Sequence, residues 1–182
     1  ADPGSGQRAD RYCCHSMTRL EPDARDRQGD DFRSVLGHFA TGVAVVTAMV
    51  ESEPIGMTVQ SFCSLSLDPP LILLCPGLTS TTWPRIEACG KLCINLLAEN
   101  QEQLAKQFAR SGTDKFAGVG WSRTSITESP LLEGCLAWID CELSAVHPGG
   151  DHHVAICSVL DLNARADLRP LIFFKSGFER ML

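Results

Sequence analysis

The segment most able to do chemistry runs from Gly56 to Pro70 (GMTVQSFCSLSLDPP), where five positions are Ser, Thr or Gln within an otherwise apolar stretch. Small hydroxyls and exposed backbone N–H groups hold a neutral, hydrogen-bonding heterocycle or a phosphate without any lysine. The same residues also suit the solvent face of a half-exposed strand, and composition alone favours that plainer reading. A second cluster, Thr79-Ser80-Thr81-Thr82, precedes a helical pattern, where free N–H groups and the positive dipole end favour an anion. An ordinary helix cap needs one hydroxyl, and four exceed that need. The third group is His147, Asp151, His152 and His153. Adjacent strand residues face opposite ways, so His152 and His153 do not converge on one metal ion, and no metal is expected. His38 reads as a surface or capping histidine on a first helix.

The elements that must position these groups follow from the patterning. Residues 1–29 lack apolar periodicity and read as a flexible N-terminal tail whose ADPGSG start looks like a cloning remnant. The folded domain is expected over 30–182. Phe32, Val35, Leu36 and Phe39 follow helical spacing with Asp30 or Asp31 as N-cap, until Gly37 and Thr41-Gly42 end the helix. GVAVVTAMV reads as a strand closed by a turn at Glu51 to Pro54, and a second strand is expected from Gly56 to Phe62. Pro69-Pro70 must connect into the buried strand LILLC. A short helix at Trp83 to Cys89, a strand over KLCINLL and a helix from Asn100 to Arg110 come next. Three further strands are expected at about 135–147, 152–162 and 170–174, the first two joined by a turn at Pro148-Gly149-Gly150. Six or seven strands, sequential at the C-terminal end, with two or three helices predict a mainly β fold, an antiparallel barrel with appended helices.

Composition narrows the function. At 182 residues the chain is a single-domain length, and 44% hydrophobic with 21% charged residues is the profile of a folded soluble protein. A formal charge of −6 argues against a nucleic-acid partner. No apolar run is long enough to span a bilayer as a helix, so no membrane partner is expected. Nine cysteines without a CxxC, set mostly inside apolar runs, suit buried thiols in a reducing cytoplasm. The Rossmann phosphate fingerprint is absent.

Six segments, FRSVLGHFATGVAVVTA, GMTVQSFCSLSLDPPLILLC, STTWPRIEACGKLCINLL, DKFAGVGW, GGDHHVAICSV and RPLIFFKSG, resemble in order and spacing the flavin reductase family of the FMN-binding split barrel. The likeness covers about Phe32 to Phe178. It implies a split β-barrel enzyme, the reductase component of a two-component flavin-dependent monooxygenase, which uses NADH or NADPH to reduce FAD or FMN. It places the flavin ring against Pro54, Ile55, Gly56, Met57 and Thr58, with hydrogen bonds from Gln60 and Ser61. The flavin phosphate falls to the loop Cys75 to Thr82, with Ser80, Thr81 and Thr82 as its hydroxyl residues. Asn95, Leu96, Lys115 and Phe116 complete the flavin site. His152 corresponds to the histidine that meets the nicotinamide, and Phe173, Phe174 and Lys175 form the rest of that contact. Phe174 stands where relatives often carry Tyr and Lys175 where they often carry Arg, which alters the grip on the nicotinamide nucleotide. A homodimer is implied, with a partner monooxygenase receiving the reduced flavin. Two other readings fit the same barrel: an oxidase with tightly bound FMN, and a non-catalytic flavin-binding protein.

Overall fold

The structure, a computed structural model, describes residues 22–180. Two compact units divide the chain after Leu36. Within the described residues the first consists of α1 (Pro22–Leu36). This helix starts eight residues before the expected Asp30 and takes in part of the segment read as a tail. Pro22 fits a first helical turn, the run after it is rich in helix-compatible Ala, Arg and Gln, and a single Gly29 costs only about 1 kcal/mol. The rest of the expected tail lies outside the described residues. His38 falls in the turn after α1 rather than on the helix.

The second unit is built on antiparallel pairs. Its strands are β1 (Thr41–Gly42), β2 (Ala44–Val50), β3 (Glu53–Val59), β4 (Phe62–Leu67), β5 (Pro70–Leu74), β6 (Lys91–Leu96), β7 (Trp121–Arg123), β8 (Pro130–Leu132), β9 (Ala137–Gly149), β10 (His152–Ala164), β11 (Ile172–Phe174) and β12 (Gly177–Glu179). Two helices, α2 (Trp83–Cys89) and α3 (Glu102–Ala109), are inserted between them. Seven strands form one sheet in the order β3-β2-β6-β9-β10-β5-β4, while β1-β11-β12 and β7-β8 form smaller ones. The fold is mainly β with appended helices, as the patterning predicts.

The expected second strand is in fact two. β3 starts at Glu53 because the turn is only Glu51-Ser52, both at positive φ, and it stops at Val59. β4 begins at Phe62 and pairs with β5, so Gln60-Ser61 carries the chain from one edge of the large sheet to the other. Periodicity cannot register such a break, since both flanks alternate in the same way. Pro70 opens β5, where a missing N–H is tolerated. The β9–β10 hairpin turns at Gly150, φ +77°, as its Pro-Gly-Gly sequence requires.

Two apolar clusters make the interior. One gathers Ala44, Val46, Ile72, Leu74, Trp83, Ile86, Leu92 and Ile94; the other gathers Val45, Leu97, Phe108, Leu132 and Leu171. Phe108 is fully buried and edge-stacked on Phe116, with ring centroids 4.9 Å apart. That packing explains Gly56. A Cβ there would lie 2.7 Å from the Phe108 ring and 3.0 Å from the Val46 carbonyl oxygen. Gly56→Ala is therefore expected to cost about 1–3 kcal/mol by overpacking, a fall in Tm of about 2 to 12 °C in a calorimetric scan. An unchanged Tm would mean that the ring moves aside freely.

Candidate active site

A cleft of about 600 Å³ opens between β3, the segment leading into α2, and the loop after α3. Its walls include Pro54, Ile55, Gly56, Thr81, Thr82, Lys115 and Phe116, so seven of the residues expected to hold flavin do meet in one place. Local chemistry explains how. Gln107 on α3 donates its amide hydrogens to the carbonyls of Lys115 and Ala117, at 2.9 and 3.0 Å. The Asp114 carboxylate accepts the Phe116 N–H at 3.1 Å. With Phe116 also stacked on Phe108, the loop is fixed and Lys115 is aimed into the cleft. Its ammonium donates to the Gly56 carbonyl at 3.0 Å and to the Thr82 hydroxyl at 3.3 Å. Burial pushes the Lys115 pKa down.

The hydroxyl cluster divides its work. Ser80 Oγ accepts the Trp83 N–H at 3.0 Å and so caps α2, whereas Thr82, the residue at the N-cap position, makes no capping bond. One hydroxyl is enough for the cap, as expected, and Thr81 and Thr82 remain on the cleft wall. Ser80 also reaches the Met57 sulfur at 3.6 Å.

Other expected flavin residues are elsewhere. Gln60, Ser61 and Cys75 line a second cleft, of about 410 Å³, together with Phe39 to Gly42, Phe62, Cys63 and Leu73. There Ser61 Oγ donates to the Cys75 carbonyl at 3.0 Å and accepts the Cys75 N–H at 3.1 Å. Three residues depart from expectation. Thr58 turns its hydroxyl to the Ala105 carbonyl at 2.7 Å and ties β3 to α3. Asn95 is fully buried: Nδ2 donates to the Val45 carbonyl and Thr47 Oγ1, while Oδ1 accepts the Leu132 N–H. Its amide is a clasp between β2, β6 and β8, since a buried amide must satisfy every polar atom within reach. Leu96 packs against the first apolar cluster.

The hairpin tip carrying His152 rests on the same loop that leads to α2. His153 N–H donates to the Pro76 carbonyl and Leu78 N–H to the Asp151 carbonyl, each at 2.9 Å. His152 Nδ1 lies 2.7 Å from Asp151 Oδ1. A Cβ on Gly77 would come within 3.6 Å of Nε2, so the imidazole lies against the glycine backbone. Phe173 is edge-stacked on Phe178 at 5.2 Å and faces Thr41 across the β1–β11 ladder. Thr41 lines the second cleft, which brings that strand beside it. Lys175 Nζ sits 5.3 Å from the centroid of Phe174.

Residues 36–181 match the Flavin reductase like domain. The chain belongs to that family. Among relatives of this flavin reductase, the reductase subunit HsaB of a flavin-dependent monooxygenase from Rhodococcus jostii strain RHA1 is 46% identical over 147 residues, covering 81% of this chain and 75% of that one. The crystal structure of a nitrilotriacetate monooxygenase component B homologue from Mycobacterium thermoresistibile superposes with a TM-score of 0.82 at 41% identity, covering 88% of this chain and 89% of that one. The Streptomyces globisporus NADH:FAD oxidoreductase SgcE6, solved with NAD and FAD fragments, superposes with a TM-score of 0.80 at 33% identity, covering 91% and 97%.

In this flavin reductase the first cleft also contains residues that the sequence reading missed. Arg85 and Glu53, paired at 3.1 Å, both line it, as do Gly112, Thr113 and Asp114. Arg85 stands three residues after Thr82 in the first turn of α2, and that nearness to the hydroxyl cluster was its signal. Nothing in the sequence marks Glu53 as its partner. Among the described residues no helix is long and apolar enough to cross a membrane.

Proposed function

We propose that this chain transfers hydride from NADH or NADPH to FAD or FMN and releases the reduced flavin to a flavin-dependent monooxygenase. One observation carries the reading: a half-buried ammonium, Lys115, stands beside the Thr82 hydroxyl, with Thr81 on the same wall, in a cleft of about 600 Å³, in a chain of net charge −6. A cation and hydroxyls at the entry to a helix are the donor set of a phosphate site, so the residues present fit a flavin mononucleotide end.

In this reading Lys115, Thr82 and Thr81 hold the phosphate, with Ser80 fixing the backbone turn beneath it. The backbone of Pro54 to Met57 flanks the ring system, and Gln60, Ser61 and Cys75 line the cleft on the other side of the strand link. A flavin held by these residues would supply the redox chemistry as the hydride acceptor. The chain's residues orient and exclude water. His152, held by Asp151, orients the nicotinamide, and Phe173, Phe174 and Lys175 flank the nucleotide. The transfer needs no general acid. Hydroxyl, backbone and single-ammonium contacts suit a flavin that leaves, with a dissociation constant of order micromolar, or about −8 kcal/mol. We further propose a homodimer, a cytoplasmic setting, and a catalytic domain within 30–182 preceded by a non-catalytic N-terminal segment.

The test is consumption of NADH and NADPH with FAD, FMN and riboflavin supplied in turn. At least one combination should run far above the protein-free rate; no stimulation by any flavin would end the assignment.

A further inference from the structure

The thiols of Cys63 and Cys75 carry no step of the chemistry above, although Cys75 lines the proposed flavin cleft, and they share one face of the β4–β5 hairpin. Cys63 stands opposite Leu73, and Phe62 opposite Leu74. The next residue, Cys75, donates its N–H to the Ser61 carbonyl at 3.2 Å. Opposed residues of an antiparallel pair share a face and alternate residues along a strand do too, so Ser61, Cys63, Leu73 and Cys75 project together. All four line the 410 Å³ cleft. Cys63 is exposed and Cys75 partly so. Burial raises the Cys75 pKa, and the neighbouring Cys63 thiol raises it further.

The other described cysteines differ. Cys93, Cys135, Cys141 and Cys157 are buried, and burial pushes each thiol up, Cys157 to about 12. The Cys89 thiol is directed at the Met49 carbonyl. Thiols shielded in this way by burial or by a backbone contact are reached slowly by oxidants in solution.

We propose that Cys63 and Cys75 form a peroxide-sensitive dithiol whose oxidation closes the second cleft. Hydrogen peroxide is the oxidant. The exposed Cys63 thiol attacks one peroxide oxygen, breaking the O–O bond and giving a sulfenic acid and water. Cys75 sulfur then displaces the hydroxyl group, forming the S–S bond and a second water. Two thiols lose two electrons and two protons, and the peroxide takes up both.

Diagonal neighbours on antiparallel strands lie about 7–8 Å apart at Cα, while a disulfide needs at most about 6.8 Å, so bridging draws the strands together. β4 can follow, being bonded on one side only at the edge of its sheet. Cys75 can follow as well, because it lies past the end of β5. The movement narrows the wall that carries Ser61 and Gln60. The source of peroxide and the FAD readout rest on the proposed function, the cross-link itself does not: reduced flavin that meets oxygen instead of a monooxygenase yields hydrogen peroxide, so turnover without a partner would shut its own site.

The test adds hydrogen peroxide directly to the full-length protein without NADH. Free thiols are then alkylated, the disulfide is mapped by peptide mass spectrometry, and FAD affinity is titrated. Expected are a Cys63–Cys75 cross-link lighter by two hydrogens, FAD affinity weaker by about tenfold, and recovery with dithiothreitol. Cys63→Ser should give no cross-link and retain its own untreated affinity after peroxide. Cys63→Ala serves the same purpose if the serine variant is unstable. Both thiols remaining alkylatable, or a cross-link only between other cysteines such as Cys13 and Cys14, would refute the site. A Cys63–Cys75 bond that leaves FAD affinity unchanged would refute the closure. A second arm follows inactivation during NADH and FAD turnover in air, with and without catalase. If no flavin is reduced, that arm fails with the proposed function, while the direct arm still decides the dithiol.

Discussion

Lys115→Met is expected to weaken FAD and FMN by about 10- to 150-fold and to leave riboflavin close to wild type. The range corresponds to about 1.5–3 kcal/mol for a hydrogen bond to a charged group. Riboflavin is the control because it keeps the ring and ribityl chain but has no phosphate. The methionine keeps most of the side-chain volume, and a Tm measurement separates any loosening of the Gly56 and Thr82 contacts from lost ligand charge. The pH dependence has a defined sign. Burial lowers the Lys115 pKa, whereas a bound phosphate favours the ammonium, so binding takes up a proton as pH approaches that lowered value. Affinity for FAD and FMN should then fall as pH rises through it, while riboflavin affinity stays flat. Equal losses for all three flavins would move the phosphate away from Lys115.

The second large effect is expected at His152. His152→Ala should lower kcat/KM for the nicotinamide nucleotide by about 5- to 150-fold, from about 1–3 kcal/mol of lost orientation, with flavin affinity nearly unchanged. The imidazole has the attributes of a positioned group: Nδ1 is held by Asp151 at 2.7 Å and the ring lies against the Gly77 backbone. His153→Ala is the internal control, since its side chain projects from the opposite face of the hairpin. Stopped-flow measurement of hydride transfer decides the point. Wild-type kinetics in folded His152→Ala protein would remove the residue from the mechanism, and parallel loss of both ligands with a lower Tm would make it structural.

What the sequence revealed follows how local each signal is. The helix Trp83–Cys89 was legible to the residue, because the hydroxyl run before it and Gly90 after it are punctuation that needs no partner. The long hairpin was legible for the same reason, from Pro148-Gly149-Gly150. The division between β3 and β4 was not, since it depends on which edges of a sheet the two halves join. β1, β7, β8 and β12 are two or three residues long and exist only through their neighbours. In the site, Lys115 and His152 were singled out through motifs, and the structure sets the first beside Gly56 and Thr82 and the second beside Asp151. Asn95 and Thr58 looked the same in one dimension but point inward, because the groups that claim them, Leu132 and Ala105, come from distant parts of the chain. Arg85 was missed because its nearness to Thr82 is a weak signal on its own, and only the fold brings Glu53 to it.

The strand order also dictates when the site can exist. β2, β3 and β6 lie next to one another in the sheet and come early in the chain, so that half can pair as soon as it is made. The β4–β5 hairpin cannot join them. Its inner neighbour is β10, with Leu71 opposite Ser158 and Leu74 opposite Ala155, and β10 is attached only through β9. A nascent chain that has not reached Ser158 therefore carries a two-stranded hairpin with an apolar, unpaired edge, the least stable state of a β structure and the one most prone to wrong partners. The wall bearing Gln60, Ser61, Cys63 and Cys75 is thus among the last parts of the protein to be built during synthesis, and a ribosome that stalls before the end of β10 leaves a product that can neither hold a ligand nor protect itself from aggregation.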